Sequence, residues 1–173
     1  MKAFQMTPSM HTATVPVFDR FLAALAALLA KAETHCAARK IDPAVILTLR
    51  LFPDMLPFIR QVTLTCDFAA RSTARLCGAD PKSFPDTETT FAELITRISA
   101  SRGYMAGFAP DRFKGAETRR ITLKQRSGNL ELSGHDYLYL YASPQFFFHL
   151  TTAYNILRHN GVEVGKRDYM GAT

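Results

Sequence analysis

The sequence predicts an all-α protein, a four-helix bundle with a small β-hairpin inserted before the last helix. Four stretches repeat apolar residues every three or four positions, which is the period of an α-helix. One short stretch instead alternates apolar and polar residues around a turn, the pattern of a hairpin. The chain has 173 residues, which suits one domain of ordinary size. We therefore expect a single bundle domain over residues 1–173.

The first helix is predicted between Pro8 and Arg39. Its apolar residues recur at helical spacing, and Thr7 followed by Pro8 is a capping residue with proline at the first helical position. Pro16 predicts a bend or a later start. The repeat consists of Val17, Phe21, Leu25, Leu28 and Ala32.

The second helical region opens at Asp42-Pro43, again a cap followed by proline. Steps of four and three predict one buried seam along it. Pro53 and Pro57 interrupt the pattern, so the sequence predicts either a kink or a short leading helix. Gly78 ends the region. The seam comprises Val45, Leu49, Phe52, Leu56, Ile59, Thr63, Cys66, Ala70, Thr73 and Cys77.

The remaining elements follow a crossing loop over residues 79–89. Thr90 and Glu93 have capping-box spacing and predict a third helix to about residue 106. The predicted hairpin pairs residues 119–125 with 130–133 around Ser-Gly-Asn. Ser133 and Asp136 then cap a last helical region.

Two signals shape the end of the chain. Pro144 is predicted to break the last helical region, because proline lacks the backbone N–H that a helix interior uses. Asn160-Gly161 is a strong C-terminal stop. The tail over residues 162–173 is expected to be extended.

Charge and composition limit the partners. Lys and Arg number 21 against 15 Asp and Glu, a net charge of +6, which suits nucleic acid, an anionic membrane or an acidic ligand. The densest basic stretch, residues 112–126, flanks the predicted hairpin and is expected to be a solvated face, so nucleic acid is not the expected partner.

No charge-free apolar run reaches the roughly 18 residues of a membrane span. Three cysteines without a paired motif favour reduced thiols. We expect a cytoplasmic protein with no membrane partner.

The histidines do not have the spacing of a metal site. Two histidines on one helix share a metal when three or four residues apart, and the residue four after His149 is Ala153. The sequence also lacks a nucleotide-binding glycine loop and a nucleophile elbow. We predict no metal, no cofactor and no assigned catalytic residue. The histidines are His11, His35, His135, His149 and His159.

His149 is the candidate functional residue, since it lies between two apolar runs. It is either a core imidazole satisfied by one hydrogen bond or a pocket group that contacts a ligand. Asp54 and Gln61 lie two turns apart on the second helical region, and Tyr154 follows on the last helix. We expect these four side chains to share a pocket. Alternatively, Asp54 forms a local ion pair with Arg50.

A resemblance to a known family is carried by residues 37–42, 52–57, 60–62, 88–94, 148–149, 152–162 and 165–166. Together these segments resemble one bacterial and fungal family, the domain of unknown function nineteen-ninety-three, which is placed beside the DinB-like (YfiT-like) metalloenzymes. The resemblance covers nearly the whole chain and implies an up-down-down-up four-helix bundle, often a homodimer.

The wider superfamily implies three histidines around a divalent metal, and in some members thiol-dependent transferase or isomerase chemistry. His149 corresponds to one such ligand. Its expected partner on the same helix is Ala153, and the second helix offers Gln61 or Asp54 in place of histidine. The chain therefore departs from the superfamily's metal pattern.

The expected function is binding of a small molecule in a pocket between helices, without the three-histidine metal site. Two alternatives remain open: a thiol-dependent transferase or isomerase with a modified metal site, and a DNA-associated accessory protein. The sequence does not decide whether the protein is an enzyme.

Overall fold

The structure is a computed structural model that describes residues 9–126 and 128–171. A helical bundle carries one antiparallel hairpin, in which Ile121 pairs with Leu132 and Leu123 with Leu130. The elements are α1 (Met10–Arg39), α2 (Pro43–Thr48), α3 (Phe58–Leu76), α4 (Phe91–Ala106), a 3₁₀ turn (Pro110–Phe113), β1 (Arg120–Gln125), β2 (Gly128–Ser133), α5 (Gly134–Asp136), a π-helical segment (Tyr137–Ala142), α6 (Ser143–His159) and α7 (Lys166–Tyr169).

Helix α1 begins earlier than a start at Pro16 would place it. Ser9 is the N-cap, and its hydroxyl accepts a hydrogen bond from the Thr12 amide at 3.1 Å. Pro16 lies inside the helix, which continues past it because a single proline removes only one backbone donor. The predicted cap at Thr7 and Pro8 lies outside the described residues.

The second helical region consists of a short leading helix and a separate long one. Asp42 caps α2 by accepting from the Ala44 amide at 2.9 Å, as predicted. Pro53 lies in the irregular stretch that follows, and α3 starts directly after Pro57. Proline stops the helix because it cannot donate to the preceding turn and it restricts the residue before it.

The predicted seam is correct in α3 and wrong before it. Cys66 and Ala70 are fully buried. Upstream, however, Val45, Phe52 and Leu56 are 51%, 63% and 43% exposed. Phe52 and Leu56 lie where the prolines keep the chain out of a helix, so the helical repeat does not apply to them, and Val45 lies on the exposed side of the short α2.

The long helices run up, down, down and up. Phe58 and Phe91 at the starts of α3 and α4 have ring centroids 6.3 Å apart, and Asp67 pairs with Arg97 further along both, so these two helices are parallel. Asp19 in the first part of α1 pairs with Arg102 near the end of α4, so α1 runs against α4. Gln61 near the start of α3 bonds His149 in α6, whereas Phe68 further along α3 contacts Tyr141 before α6. Helices α3 and α6 are therefore antiparallel. This order agrees with the predicted bundle.

The last helical region is continuous across Pro144, which corrects the predicted break. Ser133 caps it by accepting from the Asp136 amide at 3.0 Å. The π-helical segment Tyr137–Ala142 follows, and Pro144 lies in the first turn of α6. Pro144 removes only its own backbone donor, and the chain stays helical from the π-helical segment through it into α6.

The tail was expected to be extended, but part of it is helical. The amide of Gly165 donates to Asp168 Oδ2 at 2.7 Å and opens the short helix α7. Asp168 also pairs with Lys31 of α1 at 2.7 Å. These contacts hold α7 on the bundle; residues 172–173 lie outside the described part.

The apolar side of α1 forms part of the core. By length and composition α1 could cross a membrane, with a mean hydropathy of 1.6 over its most apolar window, of which 39% is buried in the bundle. Leu22, Leu25 and Leu29 on this helix are completely buried within the bundle. These residues show that one side of α1 packs in the core.

Candidate functional site

A hydrogen bond between α3 and α6 joins two of the predicted site residues. Nδ1 of His149 lies 2.8 Å from Oε1 of Gln61. The Gln61 side chain is 1% exposed and that of His149 8% exposed. On its other side, the Gln61 amide nitrogen donates to the carbonyl oxygen of Leu56 at 3.0 Å. The structure thus brings together Gln61 and His149 at the start of α3.

This chain of bonds determines the tautomer of the imidazole. The Leu56 carbonyl can only accept, so the amide nitrogen of Gln61 must face it and the amide oxygen must face His149. Nδ1 of His149 therefore carries a proton and donates it. In the neutral ring, Nε2 then presents an unshared electron pair.

The Nε2 atom has no hydrogen-bond partner within residues 9–126 and 128–171. In that part of the chain, the side-chain atoms that are both buried and unpartnered belong to Glu88, Arg97 and Ser101, not to His149. Nε2 is therefore accessible to solvent although the ring as a whole is buried. A ligand with an N–H or O–H group could donate to it.

Burial, and secondly the positive charge of Arg60, together lower the pKa of His149 from 6.5 to about 4. The imidazole is neutral at pH 7. Its ring stacks on Phe68, with centroids 5.5 Å apart and planes 14° from parallel. Phe148 meets its edge at 5.2 Å and is 54% exposed. The acceptor is thus surrounded by apolar groups and one cation.

Two other predicted site residues do not join this pair. Asp54 is exposed in the irregular stretch before α3. Its predicted ion pair with Arg50 is absent from the described residues, because the Arg50 guanidinium donates to the Met55 carbonyl instead. Tyr154 packs against Tyr169 of α7, with centroids at 5.6 Å. No hydrogen bond, ion pair or ring contact within residues 9–126 and 128–171 joins Asp54 or Tyr154 to the Gln61–His149 pair, so their place in a shared pocket stays a prediction.

Arg60 and Phe68 were not among the predicted site residues. Arg60 precedes Gln61 directly, and its guanidinium pairs with Asp86 at 2.6 Å. Phe68 lies two helical turns after Gln61, a spacing that places both on one face of α3. That spacing is the sequence signal that would have identified Phe68.

A buried ion network lies between α3 and α4. Arg97 pairs with Asp67 at 2.6 Å and with Glu88 at 2.9 Å. The Arg97 side chain is 2% exposed. Asp67 also pairs with Arg71 at 2.8 Å, the pair that its spacing predicts. Sequence spacing could not identify Arg97 as a partner, because it lies on another helix.

The residues around His149 do not fit a three-ligand metal site. Within the described ranges, no group of three or more His, Cys, Asp or Glu side chains could hold an ion. The amide of Gln61 occupies the position facing Nδ1, and both its polar atoms are already bonded to protein. Ala153, one turn after His149, has no donor atom. The donor set therefore offers one imidazole nitrogen.

The basic stretch before and within the hairpin is partly engaged in local contacts. Lys114 pairs with Asp111, Arg120 with Glu131, and Arg119 donates to the Leu76 carbonyl. Such contacts are those of a solvated protein surface. They add no support to nucleic-acid binding.

The helix order and the inserted hairpin are those of a DinB-like helical bundle. The crystal structure of a DinB family member protein from Shewanella denitrificans is similar to this chain, with a TM-score of 0.90 and 42% identity over 95% of this chain and 93% of that one. The model of the family described as "Domain of unknown function (DUF1993)" matches residues 10–170. The chain belongs to this family, as its sequence segments indicated. No curated protein matches it.

Proposed function

We propose that this protein binds a small molecule at His149 and does so without a three-histidine metal site. The observation that carries the proposal is the bond chain from Leu56 through Gln61 to His149, which leaves Nε2 as a fixed, solvent-accessible acceptor. Apolar groups around a few oriented polar atoms are the usual composition of a small-molecule site. The expected ligand donates an N–H or O–H to Nε2.

The side chains around His149 are of the kind that a small-molecule site contains. Leu56 is 43% exposed and Phe148 54% exposed, and both adjoin the Gln61–His149 pair. Arg60 contributes a positive charge near the ring. A ligand with an apolar body could cover the two exposed side chains while its donor reaches the imidazole.

The experiment is a fragment screen by protein-observed NMR, followed by affinity measurement on two variants. His149→Phe keeps an aromatic ring against Phe68 and removes the acceptor, and His159→Phe is the matched control at the exposed end of α6. Donor-bearing fragments should bind about two- to tenfold more weakly to His149→Phe, the worth of one hydrogen bond. Equal affinities for wild type and His149→Phe would contradict the proposal.

The tautomer and the metal content give two further readouts. Long-range ¹⁵N–¹H spectra should show a protonated Nδ1 and an unprotonated Nε2 in His149, and the opposite tautomer would exclude the acceptor role. Metal analysis of the purified protein tests the second part of the proposal. Stoichiometric zinc, nickel or iron that survives dialysis would contradict it.

Thiol-dependent transferase or isomerase chemistry is less well supported than binding. A general base works best when its pKa is near the working pH, and the pKa of His149 lies at about 4. The imidazole is therefore a weak base in this fold, while hydrogen-bond acceptance is unaffected. Turnover with a thiol cosubstrate in wild type, lost in His149→Phe, would favour the enzyme instead.

The homodimer, the cytoplasmic location and the absence of a membrane partner stay predictions. Light scattering of the purified protein measures the oligomeric state, and cell fractionation measures the location. DNA binding is the least supported alternative. If the protein binds DNA, its affinity for DNA should fall steeply with added salt. The absence of DNA binding at low salt would exclude this alternative.

A further inference from the structure

A second cleft lies beside α3, facing the hairpin and the π-helical segment. Its volume is about 450 Å³, which is within the usual range for small-molecule sites. Phe68, Arg71 and Arg75 line it from α3, Lys124 from β1 and Tyr141 from the π-helical segment. His149 is not in its lining. The ring of Phe68 links this cleft to the His149 site.

The charge of the cleft is unbalanced. Three cations line it, Arg71, Arg75 and Lys124, against one carboxylate, Asp67. That carboxylate is already bonded to Arg71 at 2.8 Å and to Arg97 at 2.6 Å. Its charge is therefore shared between two guanidinium groups, one of which lies outside the cleft. The cleft as a whole is positive.

Two of the cations lack an acidic partner. Within residues 9–126 and 128–171, neither Arg75 nor Lys124 has a carboxylate at ion-pair distance. The Arg75 guanidinium donates to the Tyr137 hydroxyl at 3.1 Å, which orients it but does not neutralise it. The Arg71 side chain, although paired, is 38% exposed. These donors remain available to an anion.

The π-helical segment shapes the aromatic wall. It places the Tyr137 hydroxyl between Ser72 and Arg75, each at 3.1 Å, and Tyr141 against Phe68 with centroids 6.3 Å apart. Helical segments of this kind are rare and occur frequently at functional sites. The π-helical backbone thus occurs at the segment that positions the Tyr141 ring and, through Tyr137, the Arg75 guanidinium.

We infer that this cleft binds a small organic oxyanion, a carboxylate or phosphate group carried on a planar apolar body. The arginine forks match the geometry of such an oxyanion, and the rings of Phe68 and Tyr141 provide apolar contact for the body. This site is separate from the acceptor at His149, and neither proposal requires the other.

Calorimetric titration with four probes tests the inference: phenyl phosphate, benzoate, inorganic phosphate and benzyl alcohol. At least one of the two aromatic anions should bind more tightly than both the bare anion and the neutral alcohol. The stronger of the two identifies the oxyanion as phosphate or carboxylate. Equal binding of benzyl alcohol and both anions would overturn the inference, and so would binding of a short oligonucleotide without any binding of the aromatic anions.

Three charge variants locate the site. Arg71→Gln and Lys124→Gln remove cleft cations, whereas Arg126→Gln removes an exposed cation of the same hairpin that does not line the cleft. We expect a loss of about tenfold or more in Arg71→Gln, a smaller loss in Lys124→Gln and none in Arg126→Gln. An equal loss in Arg126→Gln and Lys124→Gln would mean unspecific charge attraction and would overturn the site.

A fourth variant separates this inference from the proposed function. His149→Phe should bind the aromatic anions as wild type does, because His149 does not line the cleft. Loss of binding in His149→Phe with retention in Arg71→Gln would overturn the cleft as the site. Thermal unfolding of each variant verifies that it is folded, and Lys124→Gln, at an exposed position, provides a result even if Arg71→Gln is unstable.

Discussion

The Nδ1 atom of His149 lies 2.8 Å from the Oε1 atom of Gln61, a residue 88 positions earlier in the chain. The bond connects α3 to α6 and continues through the Gln61 amide to the Leu56 carbonyl. It therefore couples the start of α3, the irregular stretch before it and the last long helix. The same bond leaves the opposite nitrogen of the imidazole open to a ligand.

Replacing Gln61 with leucine should destabilise the fold by about 1–3 kcal/mol, because the buried His149 N–H loses its partner and so does the part-buried Leu56 carbonyl. Urea unfolding measures this. Gln125→Leu, on the exposed end of β1, is the control and should change the free energy of unfolding by less than about 0.5 kcal/mol. Similar values for the two variants would show that the bond chain is not stabilising.

Acidification should destabilise the protein through His149. Its pKa is about 4 in the folded state and near 6.5 when unfolded, so the unfolded state binds more protons between these values. The contribution is complete above pH 6.5 and is lost as the pH falls toward 4, up to about 3 kcal/mol.

The difference between wild type and His149→Phe isolates this effect. Asp136 and Asp168 also have lowered pKa values, but their contributions are lost at lower pH and are common to both proteins. Urea unfolding at pH 7 and pH 5 should show a larger loss for wild type. Superimposable pH dependences would mean that the imidazole titrates normally in the fold.

Arg97→Met should destabilise the protein by about 3–5 kcal/mol, because the Glu88 carboxylate loses its charge partner and buried Asp67 keeps only Arg71. Arg102→Met is the matched control. Arg102 pairs with Asp19 at 2.6 Å, but both side chains are about 40% exposed, 38% and 42%, and such a pair contributes about 0–1 kcal/mol. If thermal and urea unfolding showed equal losses of stability for Arg97→Met and Arg102→Met, burial would not be what makes the Arg97 ion pairs stabilising.

Gly134→Ala should destabilise the protein by about 3 kcal/mol or more. A Cβ at this position would lie 1.8 Å from the backbone oxygen of Ala116, so the backbone would have to move. Gly103→Ala in α4 meets nothing within 4 Å and should stabilise the protein by up to about 1 kcal/mol. If Gly134→Ala unfolds at the same temperature as wild type, the fold does not require the close approach of the Gly134 backbone to the Ala116 carbonyl.

Local signals in the sequence predicted much of the fold because they act within a few residues. Thr90 and Glu93 form the predicted capping box of α4, and Asp42 caps α2. Pro57 ends the irregular stretch before α3. Two of the expectations that failed, the break at Pro144 and the extended tail, concern places where a proline or a chain end is stabilised by neighbouring elements.

The candidate site was predicted only in part. His149 and Gln61 were identified because each is polar within an apolar helix. Asp54 was included because its spacing matches a helix that the prolines do not allow to form there. Phe68 and Arg97 acquire their roles from contacts with other helices, which no short-range pattern contains.

By itself, the sequence determined the helices of the bundle, the hairpin, the family and the buried histidine, since periodicity, caps and prolines act along the chain. Only the tertiary structure decided which nitrogen of His149 is open and which cations face the second cleft. Those properties depend on distances between side chains on separate elements. Packing, and not spacing along the chain, determines such distances.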